Sequence, residues 1–299
     1  MPSGVILIML HLIIVMKRIL VPTDLSPAAE TGLHMAVEIA RKCGALVNLV
    51  NFTRHPIGST FLATGDVMIT DEEPDIFGIE VLKATKERME ALVEKYIASG
   101  VTVNVAVVDS EYKHGIDEYL RSENIDLIVM GTSGEQNAKE VFTGNHTEQT
   151  IKVSACPVLS IRDGFSIDQL KTMVVAVDVL TDNKSADGLT ALKELAECFD
   201  ACIHLVHVRD TKKNPTLILD EYFNQMAAIA GLQKYKVRII DTDDVVEGLT
   251  SYAQEVNAGF LAVIKNSKEG IFRIFSQNLS DKLIKEEGRP VVTVNLQNS

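Results

Sequence analysis

One pattern is written twice along this 299-residue chain, in the same order each time. Lys17 to Asp24, KRILVPTD, returns as Lys171 to Asp178, KTMVVAVD. Ala45 to Phe52, ALVNLVNF, returns as Ala201 to Val208, ACIHLVHV. Gly115 to Asn124, GIDEYLRSEN, returns as Gly248 to Asn257, GLTSYAQEVN, and the strand-like CPVLSI at Cys156 to Ile161 returns as RPVVTV at Arg289 to Val294. The helical stretch after the first run, Ala28 to Cys43, has its counterpart in Ser185 to Phe199. Recurrence at five places points to a duplicated domain, and the length suits two domains.

Within each copy, short apolar runs alternate with stretches of helical period. Leu33, Ala36, Val37, Ile39 and Ala40 give Ala28 to Cys43 one apolar side. Thr23, Asp24 or Ser26 can cap that helix, Pro27 suits its first turn, and Gly44 stops it. The expected strands of the first copy are 17–22, 45–52, 101–108, 125–130 and 157–161, with helices at 28–43, 77–99, 115–124 and 146–154. The second copy is expected to place strands at 171–178, 201–208, 235–240, 260–264 and 289–294, with helices at 185–199, 221–230 and 248–257. Strand and helix in alternation give an α/β fold, a parallel five-stranded sheet with helices on both faces. Asp163-Gly164 reads as the linker, dividing the chain into domains at 16–164 and 165–299. His55 to Asp75 reads as a long irregular stretch able to serve as a lid. The two last strands can pair with each other, as an internal pseudo-dimer, or with a second chain as a homodimer.

Residues 1–15 stand apart. Gly4 to Val15 is apolar apart from His11, too short to span a bilayer comfortably, and lacks the flanks of a secretory signal. We expect the functional chain to start at Met16 and the leader to be an upstream start-codon extension. A membrane-associated segment is the alternative.

The stretch from Met130 to Ile151, MGTSGEQNAKEVFTGNHTEQTI, follows an apolar run and enters a helix. Its spacing is Gly131, two residues, Gly134, nine residues, then Gly144-Asn145. Glycines let a backbone approach a ligand closely, and a helix N-terminus offers N–H groups to an anion. A phosphate-binding loop is one reading; a strand-to-helix loop with incidental glycines is the other. Ligands of parallel sheets bind beyond the carboxyl ends of strands, where both Asp24 and Gly131 fall. The second copy reads Lys265-Asn266-Ser267-Lys268-Glu269-Gly270 at that place, with Gln277-Asn278 where Gly144-Asn145 stands. One competent loop per chain is therefore expected.

Composition narrows the classes. With 46% hydrophobic and 23% charged residues the chain is that of an ordinary folded protein. A net charge of -12 without a basic run argues against nucleic-acid binding, though not against a single nucleotide held by backbone groups. Cys43, Cys156, Cys198 and Cys202 form no CxxC pair, and four free thiols in a reducing cytosol are expected. His204 and His207 fall on opposite faces of one strand, which speaks against a shared metal. The acidic runs Asp71-Glu72-Glu73 with Asp75, and Asp241, Asp243 and Asp244, read as solvated. No GxSxG, HExxH or Walker lysine motif occurs, so nucleotide hydrolysis, if any, is expected to be slow.

VPTDLS together with MGTSG, nine further residues, GN and a CPVLSI strand resembles the universal stress proteins of the tandem kind, over Met16 to about Leu296. The resemblance implies two Rossmann-like domains of the adenine nucleotide alpha-hydrolase-like type, in a cytoplasmic stress-response regulator that binds ATP, ADP or AMP, with or without Mg. It implies Asp24 as the nucleoside contact, with Pro22 and Thr23 shaping the turn and Asn51 or Phe52 near the base. Met130, Gly131, Ser133 and Gly134 would line the ribose and first phosphates. Gly144, Asn145, His146 and Thr147 would face the outer phosphates. Asn145 replaces the Ser or Thr of the family pattern, and Glu135 places a negative charge beside the phosphates, which favours fewer of them. An interaction module with a vestigial site, serving unknown protein partners, is the alternative.

Overall fold

The structure is a computed structural model that describes residues 16–54, 59–61, 67–69, 76–132, 145–165, 170–177, 184–209, 219–265, 283 and 288–296. The leader lies outside these residues, as does most of the glycine loop.

Apolar β-branched runs form the strands, and their order repeats. In the first half β1 (Arg18–Pro22), α1 (Pro27–Cys43), β2 (Leu46–Phe52), β3 (Ser59–Phe61), β4 (Val67–Ile69), α2 (Ile76–Glu94), β5 (Val103–Val108), α3 (Tyr112–Ser122), β6 (Leu127–Gly131), α4 (Asn145–Val153) and β7 (Val158–Ile161) follow in turn. The second half runs β8 (Thr172–Ala176), α5 (Lys184–Cys198), β9 (Cys202–Arg209), α6 (Leu219–Ile229), β10 (Tyr235–Asp241), α7 (Val245–Glu255), β11 (Phe260–Lys265) and β12 (Val291–Asn295). A single ten-stranded sheet runs β10-β9-β8-β11-β12-β7-β6-β1-β2-β5. Each half contributes five mutually parallel strands, as the alternating pattern predicts.

The halves join where β7 and β12 pair antiparallel, Val291 with Ser160, Val292 with Leu159 and Thr293 with Val158. Of the two pairings open to the last strands, the one within the chain is realised. Asn295 in β12 adds a buried hydrogen bond from Nδ2 to Ile151 O of α4, at 2.9 Å.

Three expectations are corrected. The stretch from His55 to Asp75 is not wholly irregular, because Ser59–Phe61 and Val67–Ile69 pair as an antiparallel hairpin. The helix expected over 77–99 ends at Glu94 and is followed by a 3-10 turn at Ile97–Ser99. The acidic group at the end of β10 is exposed, as expected; Asp244 Oδ1 also accepts from Glu247 N and caps α7, and Asp241 makes a two-pronged ion pair with Arg209 at 2.6 and 2.8 Å. The expected four free thiols are two, since Cys43 and Cys198 are joined as a disulfide and Cys156 and Cys202 are free. Sequence spacing could not bring those two cysteines together; the packing of α1 beside α5 does. Among the described residues no helix is long and apolar enough to cross a membrane.

Candidate functional site

The turn after β1 is built by its own side chains. Thr23 N donates to Val50 O at 2.9 Å, which fixes it to β2. Thr23 Oγ1 accepts from Leu25 N at 3.0 Å, and Asp24 Oδ1 accepts from Ser26 N at 2.9 Å. These bonds hold Leu25 at φ 64°, a region that a branched residue adopts only under constraint. Ser26 then caps α1, its Oγ accepting from Ala29 N at 3.2 Å. Of the three candidate caps the structure selects Ser26, so capping does not account for Asp24.

Asn51 secures the same turn from β2. Its Nδ2 donates to Thr23 O at 2.8 Å, and its Oδ1 accepts from Thr53 Oγ1. Both ends of the amide are thus engaged, and Asn51 shapes the turn. Phe52 is turned into the core beneath α3, edge-on to Tyr112 at 5.5 Å and Tyr119 at 6.1 Å. The absence of a Cβ at Gly115 makes room for it: one built there would lie 2.7 Å from Phe52 Cδ1. Met130 is also core, 2% exposed, and Pro22 ends β1 buried. As side chains, Phe52 and Met130 belong to the core.

Gly131 has a reason of its own to be glycine. A Cβ there would stand 1.6 Å from Ala28 O, and one on Gly32 would stand 2.6 Å from Gly131 N. The first turns of α1 press backbone on backbone against the end of β6. Gly32 was not singled out from sequence, because nothing local marks a helical glycine as a contact point.

On the far side of the crevice, α4 opens at Asn145, and its first turn carries His146 and Thr147. The His146 ring stacks on Tyr112, with centroids 3.9 Å apart and planes at 26°. Tyr112 Oη shares a 2.7 Å hydrogen bond with Thr150 Oγ1, which itself donates to His146 O at 2.8 Å. Burial pushes the His146 imidazole below its ordinary range while the Asp24 carboxylate draws it back up. Burial raises the Tyr112 phenol far above its usual value, and Asp24 adds to that rise. The field of Asp24 therefore reaches both rings. Thr147 is 3% exposed, and its Oγ1 has no hydrogen-bond partner among the described residues.

Pro22, Thr23, Asp24, Asn51, Gly131, His146 and Thr147 thus gather at the carboxyl ends of β1, β2 and β6 and at the N-terminus of α4. Ser133, Gly134 and Gly144 lie outside the described residues, with Glu135 and Lys139, and Asn145 is described by its backbone alone. Tyr112 and Thr150 are additions that the sequence did not single out. Tyr112 could have been found by asking which residue opens the helix after β5, since that position too lies past a strand's carboxyl end. Among the described residues no three His, Cys, Asp or Glu side chains gather as a metal site.

The family model that describes the universal stress protein family matches residues 16–162. These residues belong to the universal stress protein family. The universal stress protein YxiE of Bacillus subtilis is 27% identical over 146 residues, which is 49% of this chain and 99% of that protein. The crystal structure of a universal stress protein from Archaeoglobus fulgidus covers 94% of this chain and 99% of its own, with a TM-score of 0.68 at 18% identity. At that identity the likeness concerns fold, and it extends over both halves. A shorter universal stress protein, with a TM-score of 0.35 and 43% of this chain covered at 19% identity, has been solved in complex with cAMP.

Proposed function

We propose that this universal stress protein binds one adenine nucleotide per chain in its first domain, residues 16–164, and acts through it as a cytoplasmic stress-response regulator. The observation that carries the reading is Thr147. A buried hydroxyl without a partner among the described residues is open to a ligand, and one in the first turn of a nine-residue helix sits where N–H groups and the helix dipole favour an anion. Asp24 stands across the crevice as the acceptor for a nucleoside. Thr23 and Asn51 hold the turn, Gly131, Ser133 and Gly134 offer backbone to the ribose and first phosphates, and Gly144, Asn145, His146 and Thr147 face the outer phosphates. Magnesium, if present, would ride on the phosphates. Residues 165–299 form the second domain of this reading, without a working loop.

Calorimetry with ATP, ADP and AMP tests the proposal. One site per chain is expected, and Thr147→Val should weaken binding roughly 10-fold by removing one hydrogen bond to a charged group. An absence of heat with all three nucleotides would end the reading. One observation favours a second: Gly131 is required by α1 whether or not a ligand binds. In that reading the protein is an interaction module with a vestigial site. It predicts that Asp24→Asn combined with Thr147→Val leaves partner capture intact. Because β7 and β12 pair within the chain, a homodimer would use another surface.

A further inference from the structure

The halves are tied together at a second place. α1 ends at Cys43 and α5 ends at Cys198, and the disulfide between them brings together Cα atoms 5.3 Å apart that are separated by 155 residues of chain. Both cysteines are partly exposed. Charges of both signs surround the bond. Arg41 and Lys42 occupy the last turn of α1, Lys42 Nζ lies 5.6 Å from the centre of the Phe199 ring, and Lys171 Nζ donates to Phe199 O at 3.1 Å, while Glu197 and Asp200 flank Cys198 in the chain. The thiolate is the form that exchanges with disulfides, and here the attacking reductant supplies it. α1 is also the helix that carries the Asp24 turn at its start and rests on Gly131. The bond thus anchors the far end of the element on which the candidate site is built.

We propose that Cys43 and Cys198 form a reversible redox latch between the two halves, opened by dithiols and closed by low-molecular-weight disulfides. Opening begins when a thiolate of the dithiol attacks one of the two sulfurs. The Cys43–Cys198 bond breaks, and the departing cysteine leaves as a thiolate that takes up a proton. The second thiol of the reductant then resolves the mixed disulfide, releasing the other cysteine as a thiol and the reductant as its own cyclic disulfide. Two electrons and two protons pass to the pair. Closing is the reverse exchange, in which the small disulfide is reduced to two thiols. Reversibility rests on the cytoplasmic reading, since cysteine pairs that oxidise in a reducing compartment usually cycle. With the latch open, the halves depend on the short β7–β12 pairing and the contacts around it.

Thiol titration of the full chain after denaturation tests this in vitro, independently of where the protein resides. Two thiols, Cys156 and Cys202, are expected in the closed form, four after native treatment with dithiothreitol, and two again after glutathione disulfide. Reduction should lower the melting temperature by about 5–10 °C, as expected for a long closed loop. It should also speed amide exchange at Val158 to Ile161. Cys43→Ser and Cys198→Ser should each melt like the reduced wild type and ignore dithiothreitol. A native pair that resists excess dithiothreitol, one that glutathione disulfide cannot close, or identical melting in both redox states would overturn the latch. Nucleotide heats recorded on the same two forms report separately on the proposed site, so either reading can fail while the other stands.

Discussion

In the first half Asn51 donates from Nδ2 to Thr23 O at 2.8 Å; in the second, His207 occupies the matching place and its Nδ1 lies 3.1 Å from Val177 O. A carbonyl only accepts, so Nδ1 carries the proton there. The neighbouring pair differs more: Asn48 Oδ1 accepts from Asn104 Nδ2 at 3.2 Å, while His204 Nδ1 lies 2.9 Å from Tyr252 Oη. Both halves therefore tie the end of the first strand to the second with one side-chain bond, made by an amide in one and an imidazole in the other. At the crevice they part. Counted along the paired stretches, Phe52 corresponds to Val208, Tyr112 to Val245, Thr150 to Leu283 and Gly131 to Ile264. Leu283 is fully buried in an apolar cluster with Val208, where the first half has a tyrosine–threonine hydrogen bond. The scaffold is kept because every buried polar group of a strand end needs its partner.

The largest test of this contrast compares two glycine contacts at helix–strand junctions, one in each half. Gly131→Ala would drive a Cβ to 1.6 Å from the Ala28 carbonyl, which backbone cannot avoid, and should cost about 3 kcal/mol in urea melts. Gly188→Ala meets the flexible Ile264 side chain at 2.9 Å instead and should cost about 1 kcal/mol. Equal costs would mean that the two junctions are packed alike. Tyr112→Phe removes the hydrogen bond to Thr150 and should cost about 1 kcal/mol, while Val245→Leu on the apolar side should change stability less.

The next test uses pH. Burial lowers the pKa of His204 and of His207 below the ordinary 6.5, with Lys236 and Arg209 respectively opposing the charged form as well. The unfolded chain then binds protons more readily than the folded one. Their contribution is full above about pH 6.5 and is lost as pH falls below it. Replacing both with Asn, as the first half has, should flatten the fall in melting temperature between neutral and mildly acidic pH. A slope unchanged by the double replacement would break the comparison.

The smallest effect concerns the seam between the halves. Burial lifts Glu194 of α5 to about 7, Asp126 of the first half and Glu197 add to the rise, and Lys193 opposes it. A raised carboxyl stabilises the fold at low pH, and that gain is lost as pH rises through about 7. Glu194→Gln should therefore raise the melting temperature more above pH 7 than at mildly acidic pH, by a degree or two at this partly exposed site, on the order expected for a few tenths of a kcal/mol. An equal gain at both would show that packing, not charge, is responsible.

Much of this was legible in the residues. The ten strands of the large sheet fall where they are expected, to within about two residues, because the inner strands are apolar on both faces and the edge strands β5 and β10 alternate apolar with polar residues. Helix starts were legible where a side chain caps them, as Ser26 does for α1. α3 begins three residues earlier than expected, at Tyr112, because Glu111 before it makes no capping bond and leaves no signal. That hidden start also leaves Tyr112 without a signal as a site residue. Asp24 and the turn from Pro22 to Ser26 were found by position, while the part played by Asn51 emerged only once β2 lay beside β1.

By itself the sequence determined the duplication, the parallel order within each half and the contrast between the glycine spacing of the first loop and its loss in the second. Each of these follows from local period, local caps and the bare count of side chains. Tertiary structure alone decided that β7 meets β12, that Cys43 meets Cys198, and that Gly131 answers first to α1. Those contacts join residues far apart in the chain, and their partners are chosen by how whole elements pack, which no short stretch of sequence encodes.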